Sequence, residues 1–407
     1  MAALRVALFT DSFHETNGLG TLCRQYVTYA QERDLPLLCV CGGPATRVTR
    51  TGGVERLELR RGVCAFHVDA DVLYDPLFFR HVGVAVERLR AFRPDLVHIT
   101  GPGDVSLVGV CAANLLGVPT VATWHTNFHE YAQRRVEAWT GILPQVLRRA
   151  AASAAGVLTL RTVLSFYRTC HVLAAPNQSM VDLLAERTNR PTFLMAHGVD
   201  TSRFVPERGS RANRPFTIGY VGRLSPEKNV RMLAELERRL VSSGESAFRF
   251  LVVGDGSERS WLQQHMPNAA FPGILHGPAL AAAFAGMDAF VFPSLTDTFG
   301  LVILEAMSAG VPVIVNPVTG ARAGVVDGVD GFHSEDFAAS LRRLMHAPNI
   351  RAAMGEAARA HACARSWSGV FDDLHRIYHE GLAAEQTRRR MPTAKYDRAP
   401  SFATLWR

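Results

Sequence analysis

Lysine is almost missing from this chain: the 44 basic residues include only Lys228 and Lys395 as lysines. Where arginine is the default cation, a lone lysine in a glycine turn points to a site that needs a compact ammonium. Long apolar runs are also scarce, and none is read as reaching the roughly 20 residues of a membrane span. The opening Met1-Ala2-Ala3-Leu4-Arg5 passes straight into strand-like Val6-Ala7-Leu8-Phe9. That leaves no room for the apolar stretch and cleavage site of a secretory leader. The seven cysteines are scattered, mostly in apolar segments such as Leu38-Cys39-Val40-Cys41. They read as reduced core thiols of a cytoplasmic protein, and Cys39-x-Cys41 is too tight for a zinc knuckle. Basic and aromatic residues do not interleave, so no nucleic acid is expected as a partner.

What is present describes a soluble α/β enzyme. Hydrophobic residues make up 48% and charged residues 20% of 407 positions, enough for two cores. Apolar, β-branched runs at 4–10, 35–41, 95–100 and 118–124 alternate with helical patterns at 19–33, 76–92 and 105–116. This is the rhythm of a doubly wound domain. The alanine-rich segment 140–167 carries Arg148, Arg149 and Arg161, with Arg168 just beyond. It reads as one or two helices that either pack on the sheet or line an acceptor entrance near a membrane.

The rhythm then restarts. Strands are expected at 216–221, 248–253, 288–292 and 311–315, with helices at 226–241, 258–265, 279–285 and 301–309. The predicted division is therefore 1–195 and 196–366, then a C-terminal helix at 367–383. That helix shows Trp367, Phe371, Leu374 and Tyr378 at helical spacing. The remaining 384–407 form a basic tail that supplies four of the seven net positive charges. Such a tail is either a solvated end or a weak attractor of anionic lipid heads.

Three segments carry candidate chemistry. After the first strand comes Asp11-Ser12-Phe13-His14-Glu15-Thr16-Asn17-Gly18-Leu19-Gly20. A glycine turn opening a helix can cradle a phosphate. A nicotinamide fingerprint fits it poorly, because the glycines come late and no acid ends the second strand. In the second half, Gly222-Arg223-Leu224-Ser225-Pro226-Glu227-Lys228-Asn229 places two cations around a strand-to-helix turn, as a pyrophosphate site would need. Then Thr296-Asp297-Thr298-Phe299-Gly300-Leu301-Val302 leads into Glu305. Gly300 opens a helix whose free amides can take an anion. Carboxylates suit sugar and ribose hydroxyls because each accepts several hydrogen bonds. The plainer alternatives are a helix-start acid for Asp297 and a solvated helix face for Glu305. Asp69-x-Asp71 matches a metal-binding pattern but reads as a surface loop. His125 and His129 lack the H-E-x-x-H arrangement of a zinc site.

At these residues the chain resembles retaining GT-B glycosyltransferases of the family-four type. Asp297-x7-Glu305 is similar to their E-x7-E element, with aspartate in place of the usual first glutamate. Gly222-Arg223-Leu224-x-x-Glu227-Lys228-Asn229 resembles their phosphate turn. Further matching stretches are Gly198-Val199-Asp200-x-x-Arg203-Phe204, Gly254-Asp255-Gly256, Asp327-Gly328-Val329-Asp330-Gly331-Phe332 and Trp124-His125-Thr126-Asn127-Phe128-His129-Glu130-Tyr131. The variant Thr296-Asp297-Thr298-Phe299-Gly300 looks like that of mannosyl- and sulfoquinovosyltransferases with lipid acceptors. The resemblance implies two Rossmann-like domains facing a cleft, with the last helix returning to the first domain. It implies a GDP- or UDP-linked hexose as donor, a lipid or sugar hydroxyl as acceptor, and neither metal nor cofactor. Arg223 and Lys228 would neutralise the diphosphate and Glu305 would hold the ribose. Asp297 and the backbone of Phe299, Gly300, Leu301 and Val302 would hold the sugar. His125 would face it from the first domain, and Gly18 and Gly20 would approach the phosphates. A GT-B epimerase or an inactive nucleotide-binding relative shares the fold.

Overall fold

The computed structural model describes residues 3–15, 17–69, 72–141, 143–207 and 214–390. Two compact units emerge: one runs to Ala196 and resumes at Val370, and the other is His197–Gly369. Asp71 and the tail beyond 390 lie outside the described residues.

The first unit is built on an eight-stranded sheet. Its order is Thr192–Leu194, Val172–Ala175, Thr120–Thr123, Leu96–Ile99, Val6–Thr10, Leu37–Gly43, Val54–Arg60 and Arg47–Thr51. Only the last pairing is antiparallel. The inner strands are short and buried along their whole length, which a parallel sheet covered on both faces requires. The strand order reverses between Val6–Thr10 and Leu96–Ile99, the switch point where doubly wound sheets bind ligands. Asp11 ties the two loops there. Its carboxylate accepts from Val105 N at 2.8 Å and from Ser106 Oγ at 2.6 Å.

The second unit is an all-parallel sheet of Ala269–Gly273, Phe248–Val253, Phe216–Val221, Ala289–Phe292, Val313–Val315 and Gly331–His333. Its switch point falls between Phe216–Val221 and Ala289–Phe292. The loops leaving these two strands are the two donor-site segments singled out in the sequence.

Several expectations are corrected. The pair Arg47–Thr51 and Val54–Arg60 was not expected, because its charges mask its pattern. Glu55 and Glu58 are buried there, opposed by Arg50 and Arg88 in one case and Arg47 in the other. The short strands Val172–Ala175, Thr192–Leu194, Ala269–Gly273 and Gly331–His333 were also passed over. The helix expected over 226–241 is broken: Pro226–Lys228 is a tight turn, Asn229 takes a left-handed φ of 55°, and the helix is Arg231–Ser242. One helix, Gln145–Arg168, is long and apolar enough by length and composition to cross a membrane, against the expectation of no such run.

The last helix, Trp367–Arg390, extends past 383. Phe371, Leu374 and Tyr378 are buried in the first unit, where Tyr29 Oη donates to Asp372 at 2.6 Å and Tyr378 Oη meets His98 Nδ1 at 2.7 Å. The helix therefore returns to the first unit as expected. Trp367 does not go with it: its backbone sits beside Gly198 of the second unit, where a Cβ would come within 2.9 Å.

Candidate active site

The turn after Phe216–Val221 is shaped by glycine. Gly222 has φ +154°, a region that favours glycine, and its carbonyl oxygen comes within 1.9 Å of where a Cβ on Gly254 would stand. Gly254 itself has φ +137°, so two independent reasons call for glycine there. Backbone bonds from Gly222 N to Val253 O and from Leu224 N to Asp255 O lock the two turns together. Tyr220 Oη donates to Arg223 O at 2.9 Å, which holds the arginine's backbone from below.

The turn is fastened to the end of Ala289–Phe292 at three points. Asn229 Nδ2 donates to Pro293 O at 3.2 Å, and Thr296 Oγ1 donates to Glu227 O at 3.3 Å. Lys228 Nζ donates to Asp297 Oδ1 at 2.5 Å. The left-handed Asn229 allows this, because it ends the tight turn and frees Lys228 from the following helix. The sequence assigned Lys228 to phosphate and Asp297 to sugar; the fold joins them as an ion pair, with side chains 18% and 16% exposed. Asp297 Oδ2 is buried and has no hydrogen-bond partner among the described residues. A buried acceptor left unmet costs about 1–3 kcal/mol, so this oxygen is set up for a donor from outside. Arg223 lies 4.0 Å from Glu227 across the turn.

Gly300 caps the helix Leu301–Ser308 with φ +78°, and a Cβ there would meet Phe292 Cζ at 2.9 Å. The first-turn amides of Leu301 and Val302 have no intrahelical acceptor, as at any helix start. Phe299 is buried and stacks on His197, with ring centroids 4.6 Å apart. Burial, with nearby Arg365, pushes His197 down to about 4, so it stays neutral. Sequence reasoning passed over His197, although it stands just ahead of the Gly198-Val199-Asp200 stretch.

Glu305 is only partly withdrawn from water. It sits half-buried among apolar neighbours, and its carboxyl has no hydrogen-bond partner among the described residues. Burial pushes its pKa up to about 7, against the opposing attraction of Arg203. A carboxylate in that state gains most when a ligand supplies hydroxyl donors.

The remaining predicted residues belong to the first unit. His125 follows the strand Thr120–Thr123. Gly18 begins the helix Gly18–Glu32, and Asn17 caps it by accepting from Gly20 N at 2.9 Å. Gly20 has a structural reason of its own: a Cβ there would stand 2.4 Å from Glu15 O. One cluster has the residue types of a metal site. His14, Cys41 and Glu58 each bring a ligand atom within 4.8 Å of the others. Arg47 already pairs with Glu58 at 3.0 Å, and burial pushes the Cys41 thiol up to about 12. A thiol held protonated beside a carboxylate already paired with arginine makes a poor metal site, although Glu58 Oε1 is buried with no hydrogen-bond partner among the described residues.

Two family models match the chain: Glycosyltransferase Family 4 over residues 16–203, and Glycosyl transferases group 1 over residues 215–347. A GDP-mannose-dependent alpha-mannosyltransferase of Mycolicibacterium smegmatis is 35% identical, covering 76% of this chain and 78% of its own. One of the same name from Mycobacterium tuberculosis is 30% identical, covering 92% and 96%. Among solved structures, sucrose-phosphate synthase from Thermosynechococcus elongatus superposes with a TM-score of 0.69 at 16% identity, covering 93% of this chain and 99% of that one. That likeness speaks for the fold alone and agrees with the two switch-point sheets. The chain therefore belongs to glycosyltransferase family 4, has the GT-B fold, and is a retaining hexosyltransferase that takes its sugar from a nucleotide sugar.

Proposed function

We propose that the donor is GDP-mannose and that the mannose passes, with an α linkage formed by same-face attack, to a hydroxyl of a glycolipid precursor. The names of the two mycobacterial relatives support the donor. The observation that carries the site reading is the orphaned Asp297 Oδ2 beside the Lys228 ammonium. It offers an acceptor for a sugar hydroxyl and a cation for the adjoining phosphate in one place. Arg223 and Lys228 take the diphosphate, and the Gly300 helix start adds its amides. Glu305 accepts from the ribose, and the backbone at Phe299–Val302 borders the sugar.

Departure of the nucleotide builds negative charge on the phosphate and an oxocarbenium-like sugar, so fixed cations and dipoles are the main catalytic lever. In this reading the leaving phosphate accepts the acceptor's proton, and arginine and lysine do the work a metal would otherwise do. A panel of nucleotide sugars, scored for nucleotide release and for transfer to lipid and sugar acceptors, tests it. GDP-mannose should turn over best, and Lys228→Ala and Glu305→Ala should abolish release. Binding without turnover under every acceptor would identify a catalytically inactive relative, and inversion of the sugar in place would identify an epimerase.

A further inference from the structure

We propose that the helical hairpin Phe128–Trp139 and Gln145–Arg168 is a docking surface for an anionic lipid bilayer. This goes beyond the donor reading and stands without it. A helix that is apolar all round belongs either in a core or against lipid, and Gln145–Arg168 is only half in a core. Ala152, Gly156, Val163 and Tyr167 are buried along one side. Tyr167 stacks on Trp124 and donates to Thr123 O at 3.1 Å, which anchors the end of the helix to the sheet. The strand Val172–Ala175 follows at once. A helix fixed this way lies on its domain and does not span a membrane.

Among the described residues nothing covers the other side. Val146, Ala150, Ser153, Val157 and Arg161 fall at helical spacing and are all exposed. Val146 is 78% exposed and Leu158 67%, and Trp139, at the end of the preceding helix, is 78% exposed. An aromatic at the edge of an aliphatic strip is the composition of a membrane-interface anchor.

Charge selects the occupant. The helix carries Arg148, Arg149, Arg161 and Arg168 and not one aspartate or glutamate. Arginines can lay their stems along apolar surface and keep their heads among lipid phosphates. A second copy of the chain docking on the same face would set arginine against arginine, because the longer helix has no carboxylate and the shorter one only balances Glu130 and Glu137 with Arg134 and Arg135. The first helix of the hairpin begins three residues after His125, so docking here would bring the loop of His125 to the lipid surface.

Flotation of the full chain with vesicles tests this, comparing phosphatidylcholine alone with an equal mixture of phosphatidylcholine and phosphatidylglycerol. The wild type should float with the mixed vesicles, and salt should release it. Trp139→Asp with Val146→Asp should weaken partitioning by about tenfold for each side chain, and Arg161→Glu, on the exposed strip, by about fivefold. Val63→Asp, at a fully exposed apolar residue elsewhere in the same unit, should leave it unchanged. Thermal melting and donor turnover of each variant report the fold and the donor site separately, so a failed donor reading leaves this result intact. Equal flotation of the Trp139/Val146 variant and the wild type would overturn the proposal. So would loss of binding only on removal of residues 391–407, which would assign it to the tail. A wild-type dimer that ignores vesicles and falls apart in the Trp139/Val146 variant would make the face a self-interface instead.

Discussion

Replacing Glu305 with glutamine should stabilise the second unit in alkaline solution and cost donor affinity under the same conditions. The carboxyl is held by burial at about 7 against an ordinary 4.5, with only the attraction of Arg203 in its favour. That difference corresponds to about 3 kcal/mol of penalty on the charged form. The folded state then binds more protons than the unfolded chain between those two values, so stability falls as pH rises from about 4.5 to about 7 and is level above. Glutamine cannot ionise. Its curve lacks the slope, and near pH ~8 it should exceed the wild type by about 2 kcal/mol, once roughly 1 kcal/mol is allowed for the amide's own unmet hydrogen bonds. Donor binding should run the other way. Ribose hydroxyls would supply the missing donors to the ionised form, so GDP-mannose should bind up to about tenfold more tightly per pH unit as pH rises towards 7, and level off beyond. Denaturant unfolding and calorimetric titration across this range check both halves. Parallel stability curves for wild type and E305Q, or a pH dependence of binding that survives the substitution, would refute the assignment.

Four further outcomes are expected. Lys228→Met and Asp297→Asn should each lower stability, and the double variant should recover about 2 kcal/mol of their sum; coupling below about 0.5 kcal/mol in denaturant unfolding would mean the pair is not formed. Gly300→Ala should destabilise by about 1–2 kcal/mol, because it places a Cβ at positive φ against Phe292; the shift in melting temperature measures it. Tyr378→Phe should cost about 1–3 kcal/mol by leaving the buried His98 Nδ1 without its 2.7 Å partner. In the same unit His98 is held by burial at about 3 and His375 at about 4, both neutral. Their folded values lie below the usual 6.5, so stability should fall as pH drops through that window, by about 1.4 kcal/mol per pH unit for each histidine.

The strands that the sequence revealed were those buried on both faces. Val6–Thr10, Leu96–Ile99 and Phe216–Val221 are unbroken apolar runs and need no partner to be recognised. Arg47–Thr51 and Val54–Arg60 were hidden because their alternation is of charges; the hairpin pairs Glu58 with Arg47 and Glu55 with Arg50, and only the tertiary fold buries the two acids and brings Arg88 to Glu55. The break at Asn229 was hidden for a related reason. Pro226-Glu227-Lys228 is a good helix opening locally, but Asn229 tolerates the left-handed region and takes it here, with its side chain tied to Pro293 O.

Sequence alone determined the family, the two-domain α/β plan and the two loops of the donor site. Those follow from glycine, proline and cation spacing along the chain, which are local quantities. Tertiary structure decided what the charged residues are doing. Lys228 and Asp297 lie 69 positions apart, and they became a pair because the strand order reverses between the strands that carry them. Glu305 read as part of a solvated helix face or, by resemblance, as a ribose ligand. Its apolar surroundings, supplied by packing and not by its neighbours in sequence, raised it to about 7. The lone lysine was conspicuous by composition; its partner could only be found in three dimensions.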